Sequence, residues 1–374
     1  MRTNISGLDH VVILVRDLDA AQATYARLGL TLTPRGFHSI GTHNHCSMFG
    51  SDYVELLAVR TDDSRVYYHV GMSGLNEFWE HGLVFKRWVL LQARERVQLV
   101  VLSSQGLGPV STLSARSEMQ ELLELADVVS LRDKSHSLDL IHELGVVRPV
   151  AKIVFDEAFS LEAASEEVAN EWLARAGVAP ADAFIAFHYR EVDYTANARD
   201  PVIRITEIAR LAHAETSLKI VFIPMSYAEH SKVDFNLGRK LAERLGNPRW
   251  FCLLPECREV RIIKAIIGRG RFSIGLSYHT NVFSLSQGHP ALILYTGGYY
   301  GLKSDGLVGF FGPPSRALDI DKVSDGEIVV AIREIVRDYD NACRQIADVN
   351  ESLRHDNDWT FEEIRRRLPA LPAS

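Results

Sequence analysis

Several arginine, histidine and lysine side chains follow apolar runs of the sequence. Arg132 follows VVSL, while His188 and Arg190 close the run FIAFHYR. Arginine grips an oxyanion with two hydrogen bonds, and histidine exchanges protons near neutral pH. Ligands of parallel α/β sheets bind outside the carboxyl ends of strands, so these positions predict an anion site with acid–base groups. The competing interpretations are a structural Arg-Asp pair for Arg132 and a buried, backbone-bonded histidine for His188.

His279 is the sharpest candidate for proton transfer. It follows the apolar run FSIG and opens a helix predicted from near Thr280. A helix N-terminus favours an anion, because unpaired amides and the helix dipole point toward it. Lys303 is a further candidate cation for such a ligand, with an ordinary surface lysine as the alternative.

Residues 1–62 are predicted to form a βαβββ module. Its helix starts after the capping residue Asp17, covers Asp19–Leu28 and stops at Gly29. Residues 61–70 are predicted to be a polar junction. The predicted strands of the module are Leu8–Val15, Leu30–Thr33, His45–Phe49 and Tyr53–Val59.

Beyond residue 70, predicted strands and helices alternate, which implies parallel sheets. Residues 71–176 are predicted to form a first, truncated Rossmann-like half, 177–315 a second half, and 324–368 a helical tail broken near Asn357. The apolar runs lack alternation, as in strands that helices cover on both faces. Predicted strands are Leu99–Ser104, Val128–Leu131, Phe184–His188, Lys219–Pro224, Trp250–Leu254, Phe272–Gly275 and Ala291–Tyr295. Predicted helices are Trp79–Arg96, Ser114–Leu125, Ser135–Leu144, Leu161–Ala176, Ile203–His213, Phe235–Leu245, Glu259–Gly268 and Thr280–Gln287.

The N-terminal module resembles one module of the glyoxalase-like, vicinal-oxygen-chelate superfamily. The likeness is in GLDHVVILVRDLDAAQATYARLGL, GTHNHCSMFG and DYVELL, over residues 5 to 60. In that superfamily the positions of His10 and Glu55 supply metal ligands, and His45 could add a third. A His/carboxylate set suits a divalent Zn, Fe, Mn or Ni ion. One module gives an incomplete ligand set, so the alternative is a structural remnant in which His10 and Glu55 form an ordinary polar pair.

Residues 71–312 resemble the polysaccharide pyruvyl transferase family. The phrases are GMSGLNEFW, SSQGLGPV, ADVVSLRDKSHSLDLIHELGV, FDEAF, IAFHYR, IVFIPM and FSIGLSYHTNVFSLSQGHPALILYTGGYYGLKSDGL. The resemblance implies an α/β, glycosyltransferase-B-like pair of Rossmann-type halves facing a cleft. It implies transfer of a pyruvyl group from phosphoenolpyruvate to a saccharide hydroxyl pair in exopolysaccharide biosynthesis. The family's opening strands are missing here, and the glyoxalase-like module stands in their place.

The resemblance also assigns roles to residues. Arg132, at the family's RD position, would act on the donor with His279. The strand-end position, and not the resemblance, makes Arg190 a candidate for the substrate anion and His188 a candidate for substrate contact. The family's Arg-x-His phrase reads Ser277-Tyr278-His279 here, and a serine hydroxyl cannot neutralise a phosphate as arginine does. Lys303 is the expected substitute. Tyr299 and Tyr300, in a predicted Gly-rich loop at the cleft edge, would stack on a sugar or pack between the halves.

The composition narrows the classes of partner. A net charge of -7 argues against nucleic acid as a bulk partner. No apolar run reaches the length of a membrane span, and the four cysteines lack CxxC spacing, so a cytoplasmic protein with reduced thiols is expected. Expected partners are a small-molecule donor and a saccharide acceptor, and a homodimer is left open. Pyruvyl transfer would need no cofactor, although the N-terminal module could hold a divalent metal.

Two alternatives to the transferase follow from the same sequence. One is a metal-dependent glyoxalase-like enzyme or resistance protein with an accessory domain. The other is an impaired fusion protein that only binds a glycan or a nucleotide-sugar.

Overall fold

A computed structural model of the chain contains three β-sheets. It describes residues 10–15, 17–37, 42–49, 52–59, 67–70, 75–95, 97, 99–134, 136–190, 200–225, 234–313 and 315–368. The residues Gly71-Met72-Ser73-Gly74, which open the phrase GMSGLNEFW, lie outside this description.

The first sheet belongs to the N-terminal module. It consists of β1 (His10–Leu14), β2 (Gly36–Phe37), β3 (Thr42–Phe49) and β4 (Asp52–Val59), in the order β1-β4-β3-β2. Strand β1 is parallel to β4, and β3 is antiparallel to β4 and β2. Helix α1 (Leu18–Arg27) packs on the sheet, and Asp17 caps it as predicted, by accepting from the Asp19 and Ala20 amides.

The strand predicted at Leu30–Thr33 is wrong, and the second strand of the module is β2. Thr33 does approach β3, and its amide donates to the Cys46 carbonyl. The Cys46 amide, however, donates to the Thr33 hydroxyl, while the Thr33 carbonyl bonds the His45 ring. Side chains therefore take the place of a backbone ladder at this point.

The second sheet is parallel and has its strands in sequence order. It contains β5 (Tyr67–Val70), β6 (Leu99–Gln105), β7 (Val128–Leu131) and β8 (Val150–Ile153). The prediction of a polar junction over 61–70 was wrong for residues 67–70, because β5 pairs with β6 there. The N-terminal strands form their own sheet and do not extend this one.

Helices cover both faces of the second sheet. One face, with Val100 and Leu102, packs on α2 (Glu80–Arg94), α3 (Leu113–Leu123) and α4 (Ser137–Glu143). The alternate residues Leu99 and Val101 pack with Ile364 from the C-terminal helix. Two short 3₁₀ helices lie at the ends of this region: Glu77–Trp79 directly precedes α2, and Glu157–Ser160 follows β8.

The third sheet has six parallel strands in the order β11-β10-β9-β12-β13-β14. Chain order reverses between β9 and β12, which is the place where ligands of such sheets bind. Its strands are β9 (Phe184–His188), β10 (Lys219–Phe222), β11 (Phe251–Leu253), β12 (Phe272–Gly275), β13 (Ala291–Tyr295) and β14 (Arg316–Asp319). Its helices are α5 (Glu166–Arg175), α6 (Pro201–Thr216), α7 (Asp234–Leu245), α8 (Val260–Arg269), α9 (Tyr278–Ser286), α10 (Gly297–Phe311) and α11 (Asp325–Arg337).

The C-terminal tail is helical and joins the two parallel sheets. Helix α12 (Tyr339–Arg367) continues without a break through Asn357, so the break predicted near this residue was wrong. The tail is interrupted instead at Asp338, between α11 and α12. Asn357 instead lies buried within α12 and accepts a hydrogen bond of 2.9 Å from the Phe155 amide. Within the described residues no helix, α12 included, is long and apolar enough to cross a bilayer.

The Gly-rich segment after β13 is the first turn of helix α10 and not the predicted loop. Further along this helix, Gly306 lies against the residue that follows Arg132. A methyl group at Gly306 would lie 2.5 Å from the Cβ atom of Asp133. The missing side chain thus allows α10 of the second half to approach the end of β7 in the first half.

We expect Gly306→Ala to destabilise the fold, because the Cβ atom of Asp133 moves only with its backbone. The matched change Gly309→Ala, on the same helix, meets only an ordinary 3.5 Å contact with Lys134 and removes a helix-weakening glycine. Thermal unfolding should show Gly306→Ala destabilised by about 1–3 kcal/mol and Gly309→Ala unchanged or slightly more stable. Equal melting temperatures for the two variants would contradict the close contact.

Candidate active site

A recess lies between the two parallel-sheet halves. The first half contributes the segments after β6 and β7, and the second half contributes the start of α9 and one face of α10. Its lining residues are Gly106, Leu107, Gly108, Arg132, Asp133, His136, Tyr278, Tyr299, Leu302 and Lys303. The structure therefore brings together predicted residues that are up to 171 positions apart along the chain, from Arg132 to Lys303.

Arg132 occupies the middle of the recess and contacts both halves. Its Nη1 donates a 2.7 Å hydrogen bond to the Asp156 carboxylate, which is itself buried. Its guanidinium carbon lies 4.6 Å from the centre of the Tyr278 ring, at the start of α9. The guanidinium has five donors, so a single bond to Asp156 leaves others for an anionic ligand.

His279 lies in the first turn of α9, beside Arg132. Its Nε2 is 3.9 Å from Asp156, and 48 % of its side chain is exposed. Burial of the ring among protein atoms lowers the pKa of His279, Asp156 opposes this, and the nearby cations Arg132, Lys303 and Arg190 reinforce it. The imidazole is therefore neutral at pH 7 in the free protein and gains a proton more readily beside an anion.

Lys303 enters the recess from α10. Its Nζ lies 4.5 Å from the centre of the Tyr299 ring, a cation–π contact. Burial and repulsion from Arg132 lower the pKa of Lys303 to about 7, against the attraction of Asp156. An anion bound here would restore the charged form.

His188 and Arg190 converge on one carboxylate, Asp234, at the start of α7. The His188 Nε2 lies 3.1 Å from Asp234, and the Arg190 fork donates to both of its oxygens at 3.0 and 3.1 Å. The Ser277 amide donates to the His188 Nδ1 at 3.2 Å, so the Nε2 is the protonated nitrogen. His188 has no exposed surface. Direct contact with substrate, as expected from the sequence, is thus not available to it, and it positions the start of α9.

The remaining predicted binding residues lie at the helix starts. Ser277 is the N-cap of α9, and its hydroxyl makes no capping bond. Tyr299 packs edge-on against Phe78 of the first half, with ring centres 6.1 Å apart, and against Tyr300 at 5.4 Å. These contacts match the packing interpretation for Tyr299, which also faces the recess.

Two of the three predicted metal ligands, His45 and Glu55, do not converge. Glu55 pairs with Cys46 across β3 and β4, whereas His45 pairs with Leu56, so His45 and Glu55 lie on opposite faces of the sheet. Glu55 accepts from Asn44 at 2.6 Å, and His45 bonds the Thr33 carbonyl. The backbone of His10 pairs with Tyr53, and its side chain lies outside the description. No group of three His, Cys, Asp or Glu side chains able to hold a metal is found in the described parts of the chain.

Four residues of the site were not predicted from the sequence: Asp156, Tyr278, His136 and Asp234. Asp156 stands within the phrase FDEAF, where an acidic residue before a short helix is a capping signal. Tyr278 adjoins His279, and a tyrosine in the first turn of a ligand-facing helix could have been suspected. Asp234 is 46 positions from His188, and nothing local in the sequence links them.

The comparisons with known proteins agree with the sheet architecture. Residues 8–111 match the family described as a glyoxalase-like domain, which confirms the resemblance of the N-terminal module. The match continues past the first sheet into β5 and β6. No curated protein matches the chain.

Solved structures with two facing Rossmann-type halves superpose on the chain. A UDP-forming α,α-trehalose-phosphate synthase of Burkholderia xenovorans is 9 % identical with a TM-score of 0.51, over 97 % of this chain and 100 % of the synthase. A UDP-GlcNAc 2-epimerase of Neisseria meningitidis bound to UDP-GlcNAc is 10 % identical with a TM-score of 0.53, over 82 % and 77 %. At such identities the likeness is one of fold. It confirms the glycosyltransferase-B-like class, while the pyruvyl transferase resemblance stays a prediction.

We expect Asp234→Asn to weaken the fold and to alter its acid sensitivity. Burial alone would raise the pKa of Asp234, but hydrogen bonds from His188 and Arg190 hold it well below the usual range. A lowered carboxyl pKa contributes stability that is present above about pH 4 and is lost as the pH falls further. Urea unfolding should show a loss of about 2–3 kcal/mol at pH 7 that shrinks at pH 3. Asp348→Asn, on the exposed face of α12, should be neutral, and an equally neutral Asp234→Asn would refute the network.

Proposed function

We propose that the chain is a transferase that binds phosphoenolpyruvate in the recess between its halves and passes the pyruvyl group to two saccharide hydroxyls, forming a cyclic ketal. The observation that supports this most is the grouping of Arg132, Lys303 and His279 around the Asp156 carboxylate. Asp133, the other acid of the lining, accepts hydrogen bonds from the His136 and Ser137 amides. A donor with a phosphate and a carboxylate supplies the missing negative charge. The first turn of α9 adds amides that favour an anion.

The reaction sets defined tasks for these residues. The methylene carbon of the donor takes a proton, a hydroxyl oxygen bonds the central carbon, and a second hydroxyl then displaces phosphate, which leaves with the electron pair of the broken C–O bond. Arg132 holds the donor's oxyanions, as its fork suits both phosphate and carboxylate. Arg190, fixed by Asp234, adds positive charge beside His279. Lys303 binds the donor, and His279 exchanges a proton with the donor.

A nucleotide sugar is the second candidate ligand. The superposed epimerase is bound to UDP-GlcNAc, and a diphosphate would also satisfy a cationic recess at a helix start. Thermal shift with phosphoenolpyruvate, UDP and UDP-GlcNAc separates the two candidates. A shift with the UDP ligands alone would replace the donor proposed here.

Donor affinity should fall as the pH rises above 7. Lys303 has a pKa of about 7 in the free protein, so its ammonium form, which attracts the donor, is progressively lost at higher pH. Between pH 7 and 9 the phosphate is already dianionic, and the dissociation constant should rise by up to about tenfold per pH unit. Calorimetric titration with phosphoenolpyruvate measures this. Lys303→Arg, which stays charged, should flatten the dependence, and a flat wild-type profile would exclude Lys303 from donor binding.

His279→Ala should abolish most ketal formation while the fold survives. The side chain is half exposed, so its loss costs little packing, whereas removal of a proton-transfer group typically lowers turnover by about 10²–10⁴-fold. Phosphate release and ketal formation with a panel of saccharides would be measured. His355→Ala, at an exposed site on α12, serves as control. Turnover of His279→Ala within threefold of wild type would remove His279 from the mechanism.

A further inference from the structure

His136 is a histidine at the mouth of the recess that the proposed mechanism has not used. It is the N-cap residue of α4 and lines the recess together with Arg132 and Lys303. It also lines a neighbouring open groove on the side of the first half. His136 and Leu302 are the residues common to the two linings, so His136 stands where the spaces meet.

The imidazole of His136 is held in one orientation. Its Nε2 bonds the carbonyl oxygen of Leu107, and a carbonyl only accepts, so this nitrogen bears the proton. In the neutral ring the lone pair is therefore on Nδ1, which makes no hydrogen bond within the described residues. The His136 amide donates to Asp133 at 3.0 Å, which fixes the backbone. Gly108 gives the ring room, because a Cβ atom there would lie 3.0 Å from it.

This geometry is that of an oriented base and not of a helix cap. The His136 side chain makes no capping bond to α4. A backbone carbonyl on one nitrogen fixes the tautomer, as a third group does for the base of a catalytic triad. The other nitrogen is left for a group in the recess or the groove.

The groove suits a neutral, hydroxyl-rich ligand. Its polar lining includes Ser111, Asp139 and Glu143 as acceptors and Arg116 as a donor. Arg116 and Glu143 form an ion pair at 3.6 Å, so their charges offset each other. Asp139 remains as a carboxylate acceptor, so the groove suits the hydroxyls of a saccharide better than a second anion.

We propose that His136 is the base that deprotonates the acceptor hydroxyl, with the saccharide seated in this groove. The inference rests on the proposed function. As the hydroxyl oxygen forms its bond to the central carbon of phosphoenolpyruvate, its proton passes to His136 Nδ1. His279, on the donor side, gives a proton to the methylene carbon, which binds it with the electron pair of the donor's double bond. His136 then returns its proton to the phosphate that leaves when the second hydroxyl attacks. The proton of the second hydroxyl restores His279, so no other co-reactant is needed.

His136→Gln tests the assignment. The glutamine amide can still donate to the Leu107 carbonyl, but it has no base at the position of Nδ1. We expect turnover to fall by about 10²–10⁴-fold, with the thermal shift by phosphoenolpyruvate unchanged. His142→Gln, on the exposed side of the same helix, should keep wild-type turnover. A His136→Gln enzyme within threefold of wild type would overturn the proposal.

Chemical rescue separates catalysis from structure. If His136→Gln folds poorly, His136→Ala provides a cavity for free imidazole. Added imidazole should raise the turnover of His136→Ala at least tenfold and leave the wild type unchanged. Failure of rescue in a variant that still binds phosphoenolpyruvate would count against His136 alone. Failure of the wild type to form any ketal would remove the proposed function and this inference with it.

Discussion

The arrangement of the recess depends on the placement of one guanidinium group. Arg132 lies between the Asp156 carboxylate of the first half and the Tyr278 ring of the second. Neither half alone supplies both contacts. Asp156 is held in turn by the Ala158 amide, and its neighbour Phe155 is held by Asn357 of the C-terminal helix. A short series of hydrogen bonds thus links the tail of the chain to the centre of the site.

The charges around Arg132 are unbalanced, and this imbalance explains the properties of the site. Asp156 is the acidic partner of Arg132, yet Lys303 and His279 lie close enough for their positive charges to repel. A buried charge without a partner is costly, so both groups favour their neutral forms in the free protein. Binding of an anion reverses that preference. The free energy that the folded protein loses by crowding cations would be recovered on binding of the proposed donor, which would favour doubly charged ligands.

Sequence patterns predicted the second half well, because its strands are buried on both faces and read as continuous apolar runs. The strands Phe184–His188, Phe272–Gly275 and Ala291–Tyr295 were predicted with the bounds that the structure has. Short edge strands such as β5 and β14 were missed, since four residues with mixed polarity give little periodic signal. The helix at Gly297 was missed because two glycines normally favour a turn. Here the first, Gly297, has a positive φ of 72°, and the helix starts from it.

The candidate site was predictable only in part, for a different reason. Residue type and strand-end position identified Arg132 and His279, because topology alone brings such positions to one edge. The partners Asp156 and Asp234 could not be inferred in this way. Each interacts over tens of positions, through hydrogen bonds that no local pattern encodes. The same limit applies to His136, whose proposed role is argued from a bond to the Leu107 carbonyl.

The recess forms without the opening strands that the pyruvyl transferase resemblance predicts. Its first-half lining comes from the segments that follow β6 and β7, and both strands are present.

The two faces of the four-stranded parallel sheet must be covered by other elements. Helices α2 to α4 cover one face, and Ile364 of α12 packs on the other. Because α12 has 29 residues, it is roughly 44 Å long. It can pack through Ile346 and Leu353 on the second half and still reach the first. The helical tail thus supplies cover that the N-terminal module does not, since its strands form a separate sheet.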